Sequence, residues 1–289
     1  MQKSGYECRV MGIPKTIDND LFGTDHCPGY ASAAKYIATS CMEVKHDACC
    51  YDTGMITIIE VMGRHAGWLT AAAALAGYAG AGPDLIYLPE VDFDMDNFLA
   101  DVERVYSATN KCMVVVSEGI HDSNGKFISE AKTNGKDGFG HAQLGGLANK
   151  LAEIVRAHVP SAKVRAIEPS LLQRCATHLA STTDAMEAYL AGKTAVTAAI
   201  NGDTDKMVAF ERNNLYGQYI CNTKLLPLES VANFERKVPR EWINAAGNGI
   251  ERAFIDYALP LIQGSTGMKV VEALPRFARL KKVLAKPVC

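Results

Sequence analysis

Short, wholly apolar runs rich in β-branched residues alternate with longer helical stretches along most of this chain, and that rhythm constrains its fold most. Residues 55–61 (MITIIEV) and 111–117 (KCMVVVS) present almost no polar side chain, so each predicts a strand covered on both faces. Residues 8–13, 84–88 and 163–167 read as further strands. Helices are expected over 28–44, 95–107, 146–158 and 183–191, and over the alanine-rich 65–78. Strands separated by helices in this way give an α/β fold with mainly parallel sheets flanked by helices. In such sheets a ligand lies beyond the carboxyl ends of the strands. The residues that follow each strand are therefore where chemistry is to be sought.

Composition narrows the class. With 48% hydrophobic and 21% charged residues over 289 positions, the chain has the apolar content to order itself. Its 30 basic and 32 acidic residues nearly cancel, which offers no nucleic-acid or anionic-membrane surface. No apolar run reaches the roughly 18 residues of a membrane span. Nine cysteines without a C-x-x-C pair read as reduced thiols of a cytoplasmic protein. Residues 120–143, with Gly125, Gly135, Gly138 and Gly140, read as a surface loop whose G-x-G fragment lacks the context of a phosphate loop. The rhythm weakens past residue 230. The chain thus divides into a catalytic region, 1–235, and a mostly helical extension, 236–289, with a basic, solvated tail at Arg276, Arg279, Lys281, Lys282 and Lys286.

The first strand runs into Pro14-Lys15-Thr16-Ile17-Asp18-Asn19-Asp20. Two carboxylates two residues apart, behind a lysine and a threonine, suit phosphoryl transfer: one accepts a hydroxyl proton, the other helps hold Mg²⁺, and the ammonium neutralises phosphate. An Asx-rich turn accounts for the same residues equally well. The second strand ends in Glu60-Val61-Met62-Gly63-Arg64-His65-Ala66-Gly67-Trp68, where Gly63 permits close backbone approach and Arg64 can clamp a phosphate; His65 fits a structural role at least as well as a catalytic one. Glu118 follows the third strand and suits sugar hydroxyls or a turn cap. Arg165 and Arg174, with Gln173 between them, offer either two guanidiniums for a phosphate monoester or ordinary surface charge.

Taken together, PKTIDND (14–20), EVMGRHAGW (60–68), VVVSEG (114–119) and LQRC (172–175) resemble the phosphofructokinase family in order and spacing over residues 8–235. The resemblance implies a Rossmann-like phosphofructokinase fold and a 6-phosphofructokinase-type phosphotransferase of glycolysis, with fructose 6-phosphate as acceptor, pyrophosphate or ATP as donor, and Mg²⁺ as cofactor. It implies Asp18 as the general base toward the 1-hydroxyl, Asp20 as the metal-associated carboxylate, and Thr16 as a neighbour of the transferred phosphoryl group. It implies Met62, Gly63 and Arg64 as the segment touching sugar phosphate and transition state, Glu118 as the sugar-binding carboxylate, and Arg165 and Arg174 as 6-phosphate ligands. Arg165 would reach in from a neighbouring subunit of a dimer or tetramer. Lys15 favours pyrophosphate, since an ammonium there replaces binding lost with a donor that has no adenosine.

The chain departs from the family pattern in three places. Met55 stands where many members have arginine, and Leu171 where His or Tyr is frequent. Eleven residues precede Gly12, and neither the family's Gly-rich strand-turn-helix nor its Gly-Gly-Asp turn, which hold donor phosphates on backbone N–H groups, occurs in this sequence. The chain is accordingly expected to be an N-terminally incomplete, C-terminal portion of the family fold that turns over little by itself. An inactive remnant binding sugar phosphate or a partner subunit is the rival expectation.

Overall fold

The computed structural model describes residues 4–129, 145–215, 217–279 and 281–284. Its largest sheet is parallel throughout, in the order β3 (Leu85–Tyr87), β4 (Lys111–Ser117), β2 (Met55–Val61), β5 (Lys163–Ile167). Strand β2 pairs with β4 over its whole length, from Met55 opposite Lys111 to Val61 opposite Ser117. Both strands were expected with these bounds. Alternate side chains go to opposite faces, and both faces are covered. Ile56 and Ile58 pack with Val114 and Val116 under α4 (Met95–Thr109) and α5 (Leu147–His158). Ile59 and Val61 pack with Met113 and Val115 under α1 (Tyr30–Cys49), α2 (Trp68–Ala71) and α3 (Ala74–Tyr78). This is the α/β architecture anticipated from the alternation of elements. Met55, at the start of β2, is 2% exposed and belongs to the interior.

A second sheet, in the order β1 (Met11–Gly12), β6 (Lys206–Leu215), β7 (Gln218–Pro227), carries the segment that leads into the PKTIDND motif. Here the structure corrects several expectations. The strand foreseen over 8–13 shortens to Met11–Gly12, because β1 pairs only with Lys206 and Met207 at the sheet's edge. The β6–β7 hairpin went unread, since its middle, Glu211 to Asn214, is polar. The helix over 65–78 starts only at Trp68 and is interrupted at Ala72–Ala73, where bonding tightens to i−3: Ala73 N–H donates to Thr70 O and Leu75 N–H to Ala72 O. The helix begun at residue 183 is longer, α7 (Thr182–Ile200), capped by the Ser181 hydroxyl. Gly135, Gly138, Gly140 and Lys286 lie outside the described residues.

The largest correction concerns 236–289. This stretch is not mostly helical: among its described residues it holds one seven-residue α-helix, α8 (Arg252–Ala258), a single 3₁₀ turn and a short hairpin. Val238, Ile243, Phe254, Tyr257, Ala258 and Leu261 are buried in the same core as α1 and α2. Of this stretch, only the described residues past 264 are exposed without interruption. Among the described residues no helix is long and apolar enough to cross a membrane.

Phe254 is fully buried against Trp68 and Trp242. Phe254→Ala is therefore expected to lower stability by about 3–5 kcal/mol, read from the urea unfolding midpoint at constant m. A change under about 1 kcal/mol, the range of surface substitutions, would show the segment to be peripheral.

Candidate functional site

Because β2 and β4 are in register, the residues after Val61 and Ser117 leave the sheet at one level. Glu118 N–H donates to Val61 O at 2.9 Å, and the Ser117 hydroxyl donates to Gly63 O. Gly63 N–H then donates to Glu118 Oε1 at 3.2 Å. Two glycines are required by this crossing. Gly63 has φ +141°, and a Cβ there would stand 2.6 Å from Ala66 O; a Cβ on Gly119 would overlap the Arg64 carbonyl. The two strand ends are thus locked by backbone contact, with the half-buried Glu118 carboxylate between them.

The PKTIDND motif approaches from the other sheet. Asp18 N–H donates to Thr16 Oγ1 at 3.1 Å, and that hydroxyl donates to Asp18 Oδ2 at 3.2 Å. Asn19 adopts φ +57°, a left-handed conformation that asparagine tolerates. Its buried amide donates to Tyr257 Oη (2.9 Å) and its carbonyl oxygen accepts from Cys27 N–H (2.9 Å). The turn is therefore both Asx-like and positioned: Asn19 points inward, and Asp18 faces the cleft.

A cleft of about 510 Å³ gathers Lys15, Thr16, Asp18, Met62, Gln173, Arg174 and Cys175 around the N-terminus of α1. Gln173, 2% exposed, holds the cleft wall by accepting from Met62 N–H at 3.1 Å. Asp184 accepts from Gly29 N–H (2.8 Å), Ser32 N–H (3.1 Å) and the Ser32 hydroxyl, satisfying the first donors of α1. Gly63, Arg64 and Glu118 adjoin this cleft; the charges of Asp18 and Arg64 both reach Glu118. Asp20 does not line the cleft; its carboxyl feels the charges of Asp18 and Glu235. Arg165 is not brought to the cleft. It stands on β5 and donates to Asp47 at 2.7 Å. A larger hollow of about 750 Å³ is formed by the exposed tail, 269–279, and contains none of the motif residues.

Burial dominates the electrostatics. It raises the Glu118 carboxyl against the opposing Gly63 N–H bond, with Asp18 adding and Arg64 subtracting. It raises Asp20, with Asp18 and Glu235 adding to the effect. Glu60, 6% exposed, is pushed up to about 7 by burial, although it accepts from Ala148 N–H at the start of α5 (2.9 Å).

Several residues of this site carried no recognisable signal. Arg236 N–H donates to Asp20 O at 2.7 Å, and Trp68 Nε1 donates to Arg236 O at 2.9 Å. Glu90 accepts from both Gly67 and Val238 N–H at 2.9 Å. The dense aromatic spacing of Trp242, Phe254 and Tyr257 could have marked this segment as core. His26, 1% exposed, sits between Asp25 (2.8 Å) and Glu187 (2.6 Å), while Arg212 binds Asp25 and Tyr219 donates to Glu187. The donor atoms of His26, Glu187 and Cys221 lie within 4.8 Å of one another, but both imidazole nitrogens are taken and a guanidinium stands beside them. These partners hold Asp25 down to about 2 and His26 above its ordinary value, despite burial.

The sequence profile of the Phosphofructokinase family matches residues 1–199. The chain belongs to the phosphofructokinase family. It is 41% identical over 284 residues to the pyrophosphate–fructose 6-phosphate 1-phosphotransferase of Halomonas elongata, covering 97% of this chain and 67% of that protein. The protein of the same name from Xanthomonas campestris is 44% identical over 283 residues, covering 96% and 67%. The crystal structure of a pyrophosphate-dependent phosphofructokinase from Marinobacter aquaeolei superposes with a TM-score of 0.85 at 36% identity, covering all of this chain and 69% of that one. This phosphofructokinase chain thus spans about two thirds of the length of the relatives it matches. PKTIDND, EVMGRHAGW and LQRC each contribute residues to the cleft lining, VVVSEG adjoins it through Glu118, and Asp20 and Arg165 do not line it.

Glu60 supplies a pH test of the rim. Its folded pKa, about 7, exceeds the roughly 4.3 of an unfolded glutamate. The folded state therefore holds the proton more tightly, and that stabilisation is complete below about pH 4.3 and lost as pH rises through about 7. Glu60→Gln keeps an oxygen for Ala148 N–H, so it should remove most of the fall in urea midpoint between about pH 5 and 8. A fall of unchanged size would assign it to other groups.

Proposed function

We propose that this chain supplies the sugar-phosphate side of a phosphotransferase that moves a phosphoryl group from pyrophosphate to the 1-hydroxyl of fructose 6-phosphate, giving fructose 1,6-bisphosphate in glycolysis. The observation that carries this reading is the juxtaposition, in one cleft, of Lys15, Thr16 and Asp18 from one sheet with Met62 and Arg174 at the rim of the other. The pyrophosphate-dependent relatives, at 41% and 44% identity over nearly the whole chain, support pyrophosphate over ATP.

The chemistry follows from the groups available. The sugar's 6-phosphate is held by the Arg174 guanidinium, whose planar fork suits two phosphate oxygens. Glu118, braced by Gly63 N–H, accepts from the sugar hydroxyls. Asp18 lies where the 1-hydroxyl is presented and takes its proton as oxygen attacks phosphorus. Arg64, on the glycine-locked loop, balances the charge spread over the transferring oxygens, and Lys15 that of the donor. Thr16 orients Asp18 through their hydrogen bond. Arg165, paired with Asp47 away from the cleft, is read as serving a neighbouring subunit of a homo-oligomer.

Hard carboxylate oxygens suit Mg²⁺. The Asp20 carboxyl is raised by burial and by the charges of Asp18 and Glu235, an excess of negative charge that a dication relieves. Asp20 is the residue we assign to it, with Asp18 adjacent. When bound there, the ion neutralises charge on the donor phosphates. The eight described cysteines are all free, and Cys8, Cys49, Cys50 and Cys175 are exposed, which supports a reducing, cytoplasmic compartment.

Two measurements test this reading. In calorimetric titrations, fructose 6-phosphate should bind and Arg174→Ala should weaken it about tenfold, the loss expected for a charge-assisted contact; equal binding of fructose and fructose 6-phosphate would remove the phosphate site. In an aldolase-coupled assay with pyrophosphate and Mg²⁺, run on a protein restored to the length of its relatives, Asp18→Asn should lower kcat about 10²–10⁴-fold with KM for the sugar little changed. Near-normal kcat would leave Asp18 as only a turn brace.

A further inference from the structure

The two halves of the cleft belong to different sheets, so their spacing depends on the contacts that bridge them. We infer that the Arg236 side chain is the positioning element that locks the Asp18–Asp20 turn against the loop running from Gly63 to Trp68. This inference rests, for its effect on the reaction, on the function proposed above.

Arg236 meets both elements at once. Its backbone N–H donates to Asp20 O (2.7 Å), and its carbonyl accepts from Trp68 Nε1 (2.9 Å). Its guanidinium carbon lies 4.0 Å from the centroid of Trp68 and 5.4 Å from that of Tyr257, within the range at which a cation is held by the negative faces of aromatic rings. Tyr257 is itself tied to the turn: its hydroxyl accepts from Asn19 Nδ2 and donates to Asp25 O, both at 2.9 Å. The guanidinium also stands 3.5 Å from Asn19 O. Two residues on, Val238 N–H and Gly67 N–H converge on the same Glu90 oxygen. The strap 236–238 therefore touches the turn at Asn19 and Asp20, and the loop at Trp68 and, through Glu90, at Gly67.

The backbone bonds survive any substitution at 236, so the side chain's own contribution is separable. It is a fixed cation on the indole whose N–H makes the link, and on the phenol that holds Asn19. Without that charge, the indole and phenol lose a common partner, and the turn lifts from the loop more often, against the remaining bonds, while each sheet stays folded. Asp18 and Arg64 would then sample separations in which proton acceptance and charge stabilisation no longer coincide.

Cys27 is a built-in reporter of this motion. It is fully buried, its N–H is held by Asn19 Oδ1, and its thiol feels the charges of Asp18, Asp20 and Arg236. Cys41 on α1 and Cys112 on β4 are similarly buried but belong to the body of the fold. Alkylation of the 289-residue chain, followed residue by residue by mass spectrometry, tests the lock. Arg236→Met should speed labelling of Cys27 about tenfold through local opening, with Cys41 and Cys112 unchanged. Arg236→Lys, which keeps a cation over Trp68, should retain most of the protection. Equal acceleration at all three cysteines, or an unchanged Cys27, overturns the inference. In the pyrophosphate assay of the protein restored to the length of its relatives, Arg236→Met should lower kcat about tenfold with KM for fructose 6-phosphate moved less than about threefold, the pattern of lost orientation. Faster Cys27 labelling with unchanged kcat would uphold the lock and overturn the role given to the Asp18 turn.

Discussion

Everything at the candidate site depends on the seven-residue parallel register between β2 and β4. Parallel strands in equal register end at the same height, so Met62 and Glu118 leave the sheet side by side and their loops must cross. Ser117 and Gly63 make the crossing possible: one supplies a hydroxyl to the other's carbonyl, and the absence of side chains at Gly63 and Gly119 lets the two backbones touch. A slip of one residue would exchange the two packed faces and also separate Glu118 from Gly63 N–H. Packing and site geometry are therefore set by one constraint, since the burial that fixes the register also fixes the rim.

That burial has an electrostatic consequence. Glu60, Glu90, Glu118 and Asp20 all have carboxyl groups raised chiefly by removal from water. Each is partly compensated by backbone N–H donors or neighbouring charge, and none is fully relieved. Glu60 takes an N–H at the start of α5 and Glu90 takes two at the meeting of loop and strap, whereas Glu118 and Asp20 also feel Asp18. Carboxylates crowded at a rim repel one another and draw in cations or proton-bearing ligands. A sugar phosphate with its metal-bound donor has the complementary hydroxyls and charge. Neighbouring charge acts on all four: Glu168 and Glu118 on Glu60, Lys237 on Glu90, and Asp18 on both Glu118 and Asp20.

Much of this was legible in the sequence, for definite reasons. Residues 55–61 and 111–117 announce doubly covered strands because apolar, largely β-branched side chains fill both alternating sets with few polar interruptions. PKTIDND and EVMGRHAGW announce a site because glycines, carboxylates and cations coincide where parallel strands end. What was missed depended on contacts distant in sequence. Residues 65–78 have helical composition throughout, yet Glu90 holds Gly67 N–H outside the helix, and a local propensity cannot register that. The polar middle of β6, Glu211 to Asn214, hides a strand that only pairing with β7 explains. Arg236 looks like one more charge in a basic, polar stretch, because a cation on an indole 168 residues away has no local signature.

The two-sheet construction gives those distant contacts their importance. Lys15, Thr16 and Asp18 hang from the β1–β6 sheet, whereas Met62, Glu118 and Arg174 belong to the β2–β4–β5 sheet and its loops. No strand pairing among the described residues joins the two sheets; beside the Arg236 N–H bond to Asp20 O and the packing of Ile17, Met62 and Tyr219 on one core, their relation rests on specific links: Asn19 to Tyr257, Trp68 to Arg236, Asp184 to the start of α1. Such links are individually weak and geometrically specific, unlike the diffuse apolar packing that holds each layer. They are also concentrated in the segment after residue 235, which reads as an appendage yet lies in the core between the two motifs. A fold divided in this way separates stability from alignment: the layers can persist while their relative position changes. Alignment is what phosphoryl transfer demands, because attacking oxygen, base and stabilising charge must coincide within a fraction of an ångström.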